Sequence, residues 1–233
     1  LIMPLGVGRM QRFLGVGLGL LSVACSDSKE TRLQRYLIQG NEMVKQRDAE
    51  QAERYFKEAL RLDSCFADAL NNLGSIYFEK KRYAEALDLY NRAIDCKPGY
   101  LDAYFNRANA SYELKEYYSA LNDLDKIIKQ KPDTSLVYFT QGLVLTKLRR
   151  FDEAILSFHK AERSDEPDLD ILVNLGTLYY YKKDFDQAQR LLKQALEQNS
   201  SEPNALNAMG MIEVEKKNYD EATLWIEKAL AAK

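Results

Sequence analysis

Three thiols, one imidazole and a set of asparagines recurring at a fixed interval are the side chains through which this sequence could act. Cys25, Cys65 and Cys96 are too few and too scattered to build a disulfide scaffold or a zinc site. His159 is the single histidine and falls on the outward side of an amphipathic stretch, with no nucleophile or acid spaced to work with it. The acid pair Asp165 and Glu166 lies in a connecting segment and reads as solvated charge. Glycines 15, 17 and 19 sit inside an apolar run, and most later ones recur at repeat positions, so no glycine-rich phosphate loop is present. These residues predict no catalytic site, no metal and no cofactor. Asparagine offers both a donor and an acceptor, which suits it to pairing with a polypeptide backbone. The chain carries 33 basic and 35 acidic residues, a net charge of -2, and no basic face for tracking phosphates is evident along the sequence. No nucleic-acid partner is expected.

The elements that must position these groups fall into two parts. Residues 1–24 hold two arginines, Arg9 and Arg12, and no acid. They continue through the apolar run Phe13 to Leu21 into the small residues Ser22-Val23-Ala24. A basic flank, a short apolar stretch and a small-residue end describe a signal peptide, and the run is too short for a spanning helix of about 20 residues. Met10 is a plausible start. The join Leu21-Ser22-Val23-Ala24-Cys25 resembles a bacterial lipobox, with Ser22 standing where leucine is usual. The resemblance implies diacylglycerol on the Cys25 thiol, cleavage before it, and a tether over 25–32. Ser26 in place of aspartate implies sorting to the outer membrane; a secreted or periplasmic protein is the alternative.

The remainder repeats every 34 residues, a period characteristic of stacked helical units. One series reads Gly40, Gly74, Ala108, Gly142, Gly176, Gly210, and a second Ala52, Ala86, Ala120, Ala154, Ala188, Ala222. A third reads Ala59, Ala93, Ile127, Ala161, Ala195, Ala229. Between the last two stands a large apolar residue each time: Phe56, Tyr90, Leu124, Phe158, Leu192, Ile226. Leu70, Leu73, Gly74 and Tyr77 share one helical face, as do Ala86, Leu87, Tyr90 and Ala93. Helix axes that pack at about 8–10 Å need small side chains at the crossing, which Gly74 and Ala86 supply. Asp152, Asp186 and Asp220 are expected as caps of second helices.

This pattern resembles the tetratricopeptide repeat over residues 33–233. The resemblance implies an all-α, right-handed superhelical solenoid of six helix-turn-helix units: 33–66, 67–100, 101–134, 135–168, 169–202 and 203–233. First helices would line a concave groove holding Asn72, Asn106 and Asn174 at one equivalent place and Asn41 and Asn109 three residues later. Phe78, Phe105, Tyr112, Phe139, Tyr180 and Tyr181 would share that face, and Asp68, Asp102 and Asp170 its edge. Such a groove suits a peptide or helix with apolar anchors and some basic residues. Chaperone-binding relatives clamp a terminal carboxylate with cations; Leu37, Asn41, Asn72, Asp102 and Asn106 hold those places here, so no such clamp is expected.

Three features remain open. Arg107 and Gln141 replace leucine beside the small residue, and either line the groove wall or form a polar spot for a partner. Cys96 either fills a buried apolar slot or, in an exported chain, pairs with Cys65. No polar capping helix follows the last helix, with Trp225 and Leu230, in this sequence; that helix is expected to be exposed, to self-associate, or to belong to a longer parent protein. The expected function is a non-catalytic, membrane-anchored scaffold for other proteins. The alternative is an assembly factor like the pilotins of type IV pilus secretins, which this chain resembles in size and layout.

Overall fold

A computed structural model describes residues 28–132, 134–162 and 168–232. Residues 1–24, Cys25 and the Asp165-Glu166-Pro167 segment lie outside the described residues. Within them the chain is twelve α-helices and no strand. The first helices of the six pairs are α1 (Lys29–Lys45), α3 (Ala67–Glu79), α5 (Leu101–Glu113), α7 (Ser135–Lys147), α9 (Leu169–Tyr181) and α11 (Pro203–Glu215). The second helices are α2 (Ala49–Leu62), α4 (Tyr83–Cys96), α6 (Tyr117–Gln130), α8 (Phe151–Ala161), α10 (Phe185–Gln198) and α12 (Tyr219–Ala231). Each helix packs on its partner and on the next pair, and the first helices α1, α3, α5 and α7 also touch in sequence, as do α9 and α11. This is a helical-repeat solenoid.

The repeated small and large residues meet as their spacing requires. Phe56, Tyr90, Leu124, Phe158 and Leu192 are fully buried between the helices of their pairs. A Cβ added at Gly74 would stand 2.6 Å from the Tyr90 ring. The glycine is therefore required by close approach, since no neighbour could yield that far. The last pair departs from this: Ile226 is 36% exposed, and Leu224, Leu230 and Tyr219 are exposed beside it.

Helix ends differ from the sequence expectation in two ways. The aromatic residues Tyr83, Tyr117, Phe151, Phe185 and Tyr219 are the first residues of their second helices. The caps therefore fall two residues before Asp152, Asp186 and Asp220, which lie in first turns. Asp48 and Asp184 do the capping, accepting from the amides of Gln51 and Gln187. At the amino end α1 begins at Lys29, capped by Ser28 accepting from the Thr31 amide. Residues 29–32, assigned to the tether by repeat counting, are helical.

Candidate functional site

The asparagines on the first helices link to one another. Asn72 Nδ2 on α3 donates to Asn41 Oδ1 on α1 (2.8 Å). Asn71 donates to Asn72 Oδ1 (3.2 Å), and Asn106 Nδ2 on α5 donates to Asn71 Oδ1 (2.9 Å). Four carboxamides thus form one chain across three consecutive first helices. Each has two N–H donors and two acceptor lone pairs, and the links consume about half or less of that capacity. Asn41, Asn72 and Asn106 are half-exposed, so the remainder faces solvent. Asn71, which joins the two halves and is buried, was not singled out in the sequence. Its signal was the Asn71-Asn72 pair, which places amides on two adjacent lines of one helix.

The row ends at α5. In α7 the equivalent residue is Thr140, buried and bonded back to the Leu136 carbonyl. Asn174 on α9 donates to the Asp170 carbonyl of its own helix (2.7 Å) and links no neighbour. Asn109 is half-exposed, outside the row. Carboxamides dominate the first-helix face in the amino-terminal half. In the carboxy-terminal half Val173, Asn174, Asn207 and Ala208 occupy the equivalent lines.

The aromatic residues expected on this face fall into two groups. Phe78 packs edge-on against Tyr83 (5.2 Å between centroids) and Tyr112 against Tyr117 (5.6 Å), while Tyr180 tilts against Phe185 (6.1 Å). Each pair closes the turn within its unit. Tyr181, half exposed, stacks on Phe151 of the preceding unit (5.5 Å, 12° between planes). Burial pushes the phenols of Tyr112 and Tyr180 above their ordinary range. Phe105 and Phe139 instead pack at the edge of the central core, Phe139 edge-on to Phe158 (5.5 Å). The large exposed apolar side chains on first helices are Ile38 (66%) on this face and Leu136 (59%) at its edge, with Val44, Tyr181 and Val214 near the turns. At the edge, Asp68 faces Lys97 (3.9 Å) and the Tyr100 hydroxyl, whose pKa burial and that contact both raise. Asp102 and Asp170 remain exposed.

Arg107 and Gln141 neither line the face nor offer a free polar spot. Arg107 turns between the helices and makes two 2.7 Å bonds to the carboxylate of Asp123, which is 2% exposed, and one of 2.8 Å to Asn91. Gln141 donates to Asp125 and accepts from Ser157, both at 2.8 Å. They replace leucine because polar partners on second helices await them.

Cys65 and Cys96 form a disulfide, with Cα atoms 5.4 Å apart. Cys96 therefore does not sit as a lone thiol in an apolar slot. It ends α4, where the antiparallel partner helix returns the chain to the turn before α3 that carries Cys65. His159 is exposed and its Nδ1 lies 3.0 Å from Glu162 one turn on. No group of three His, Cys, Asp or Glu residues among the described residues is placed to hold a metal. No helix among them is long and apolar enough to cross a membrane.

Comparison with known proteins agrees with this architecture. A family model described as tetratricopeptide repeat matches residues 39–100 and 173–233, and a second model of the same description matches 77–138. Stress-induced-phosphoprotein 1 of Caenorhabditis elegans is 34% identical over 56 residues, which are 24% of this chain and 18% of that protein. This chain thus matches less than a fifth of that relative. Among solved structures, YrrB, described as a TPR protein with an unusual peptide-binding site, superposes with a TM-score of 0.67 at 23% identity. That match covers 78% of this chain and 97% of YrrB. A tetratricopeptide repeat protein from Parabacteroides merdae gives 0.75 at 20% identity, over 86% of this chain and 80% of its own. At these identities the structures share the fold.

Proposed function

The chain belongs to the tetratricopeptide repeat family, whose members are generally protein-interaction scaffolds, and on that premise we propose a non-catalytic adaptor of the cell envelope. In this reading a lipid on Cys25 holds the chain at a membrane, and the face of the first helices takes a peptide or helix of a partner protein. The observation that carries it is the linked row Asn41, Asn72, Asn71, Asn106. Pre-ordered, half-exposed amides present donors and acceptors at regular steps to an extended backbone, at little further entropic cost. Ile38, at the repeat position of Asn72, and Leu136, at the edge position of Asp68 and Asp102, are exposed and supply apolar anchor points. The disulfide supports export, because such bonds form and persist in oxidising compartments.

The test is crosslinking capture from membranes of the native host, read by mass spectrometry. The intact chain is compared with an Asn109→Ala, Asn174→Ala variant and an Asn72→Ala, Asn106→Ala variant, each checked by circular dichroism. A defined set of partners, lost with the row, supports the groove. Identical capture by all three sinks it. Capture of one secretin segment alone would favour the pilotin-like reading over a general adaptor. Labelling with radioactive palmitate, abolished by Cys25→Ser, tests the anchor separately.

A further inference from the structure

Every turn inside a repeat unit places one residue in the left-handed region, and all six are basic. They are Arg47, Lys81, Lys115, Arg149, Lys183 and Lys217, with φ between 59° and 64°. Glycine fits that conformation freely and asparagine tolerates it, whereas a Cβ-bearing residue is strained there. Strain retained six times at one position calls for a functional reason. The side chains supply it. All six are exposed. Among the described residues none of the six forms an ion pair or a side-chain hydrogen bond; Arg149 lies over the Phe151 ring at 5.9 Å. Neighbouring turn cations behave differently. Lys80 holds Glu53, Arg82 holds Glu85, Arg150 holds Glu153, and Lys182 holds Asp152. These pairs neutralise much of the nearby acid and leave the strained row uncompensated. The six turn triplets, 46–48 and its equivalents, carry eleven basic and three acidic residues, against a whole-chain charge of -2.

All six turns fall on one edge of the solenoid, because each joins a first helix to its second. Successive charges are spaced by helix packing, roughly 10 Å apart. They stand on a ridge of turn tips, with no walls to hold a peptide. We propose that this row binds a linear polyanion, a sugar polymer bearing carboxylate, sulfate or phosphate groups along its length. Evenly spaced like charges on a ridge match a polymer whose charge recurs, whereas a folded acidic protein would need six separately placed matches. The preference for polymer over bilayer rests on the lipid-anchor reading. The start of α1 lies at the opposite edge, about 25 Å away over 17 residues at 1.5 Å each, so a bilayer holding Cys25 lies away from the row. The row itself is independent of that reading.

The test uses the full chain with Cys25→Ser, so that no lipid contributes, and measures binding to heparin, polygalacturonate and neutral dextran by titration calorimetry. Binding to the charged polymers alone is expected, weakening by roughly 10³-fold between about 50 and 200 mM salt. Replacing all six by glycine (Arg47→Gly, Lys81→Gly, Lys115→Gly, Arg149→Gly, Lys183→Gly, Lys217→Gly) should abolish binding while leaving the melting temperature unchanged or raised, since glycine relieves the strain. Lys80→Gln, Arg82→Gln, Arg150→Gln and Lys182→Gln together should retain binding within about threefold, as already paired charges contribute little. No binding at low salt, or losses in the two variants proportional to charge removed, would overturn the proposal. Tighter binding to phosphatidylglycerol vesicles or to duplex DNA, through the same six residues, would replace the polymer with that surface.

Discussion

Breaking the Cys65–Cys96 disulfide should loosen the amino-terminal half of the solenoid selectively. The bond closes a loop of 31 residues that contains all of α3 and α4. In the chain-entropy account, constraining a loop of that length in the unfolded chain stabilises the fold by about 3.7 kcal/mol at 25 °C. That figure is an upper value, since engineered and native crosslinks commonly deliver about 2–4 kcal/mol. A repeat contacts its neighbours alone, so the loss is felt in unit two and adjoining helices before the rest. The assay is hydrogen exchange of residues 65–96 and the thermal midpoint by far-UV circular dichroism. The oxidised chain, the reduced chain and a Cys65→Ser, Cys96→Ser variant are compared. Reduction and the double variant should agree, lowering the midpoint by roughly 5–15 °C and speeding exchange in α3 and α4 more than in α9 to α12. Equal midpoints and equal protection in all three forms would refute the reasoning.

Three further outcomes follow from particular contacts. Burial alone would raise the Glu53 pKa, but hydrogen bonds from Lys57 and Lys80 outweigh it and hold the group at about 2, below its ordinary 4.5. Because the folded pKa is depressed, this contribution is complete above the ordinary value and is lost as pH falls from 4.5 through about 2. With both lysines substantially exposed it should amount to about 1–2 kcal/mol, and Glu53→Gln should flatten that part of an acid-denaturation curve. Arg107→Met leaves the buried Asp123 carboxylate only the longer contact to Lys126 (3.7 Å) and should cost about 2–3 kcal/mol in urea unfolding, whereas Arg107→Met with Asp123→Leu should recover most of it. Gly74→Ala drives a methyl into the Tyr90 ring and should cost about 1–3 kcal/mol; recovery in Gly74→Ala with Tyr90→Leu, as Ala108 faces Leu124 in unit three, checks the cause.

Much of this architecture was legible because one interval governs it. A small residue every 34 positions, answered by a large one sixteen further on, specifies a helix crossing, and the crossing fixes which faces are buried. The orientation of Arg107 and Gln141 was not legible from their own identity, since a long polar side chain can turn either way. Their partners decide it: Asn91 and Asp123 lie sixteen residues either side of Arg107, and Asp125 and Ser157 sixteen either side of Gln141. The same interval that aligns glycine with its aromatic thus aligns buried polar groups. The disulfide was ambiguous for a related reason. Cysteine serves equally as a small apolar residue, and its pairing depends on where two turns meet rather than on spacing along a helix. The self-linked asparagines were visible as a series, but not as bonded to each other.

These contacts divide the molecule unevenly. The disulfide, the carboxamide row, the Glu53 cluster and the Arg107–Asp123 pair all lie in units one to three. Each ties neighbouring elements together through a directional bond. Beyond Thr140 the first helices meet mainly through apolar side chains, and the join from unit four to unit five runs through α8 and α9. Apolar packing holds volume but specifies position less sharply than bonded polar groups do. The Gln189–Glu213–Asn218 contacts are the principal polar linkage in the last two units. The solenoid therefore combines an amino-terminal half braced by directional bonds with a carboxy-terminal half in which Leu224, Ile226 and Leu230 are exposed. In the proposed adaptor, the braced first half would hold a partner's segment in fixed register while the second half offered a more adjustable surface to the body attached to it.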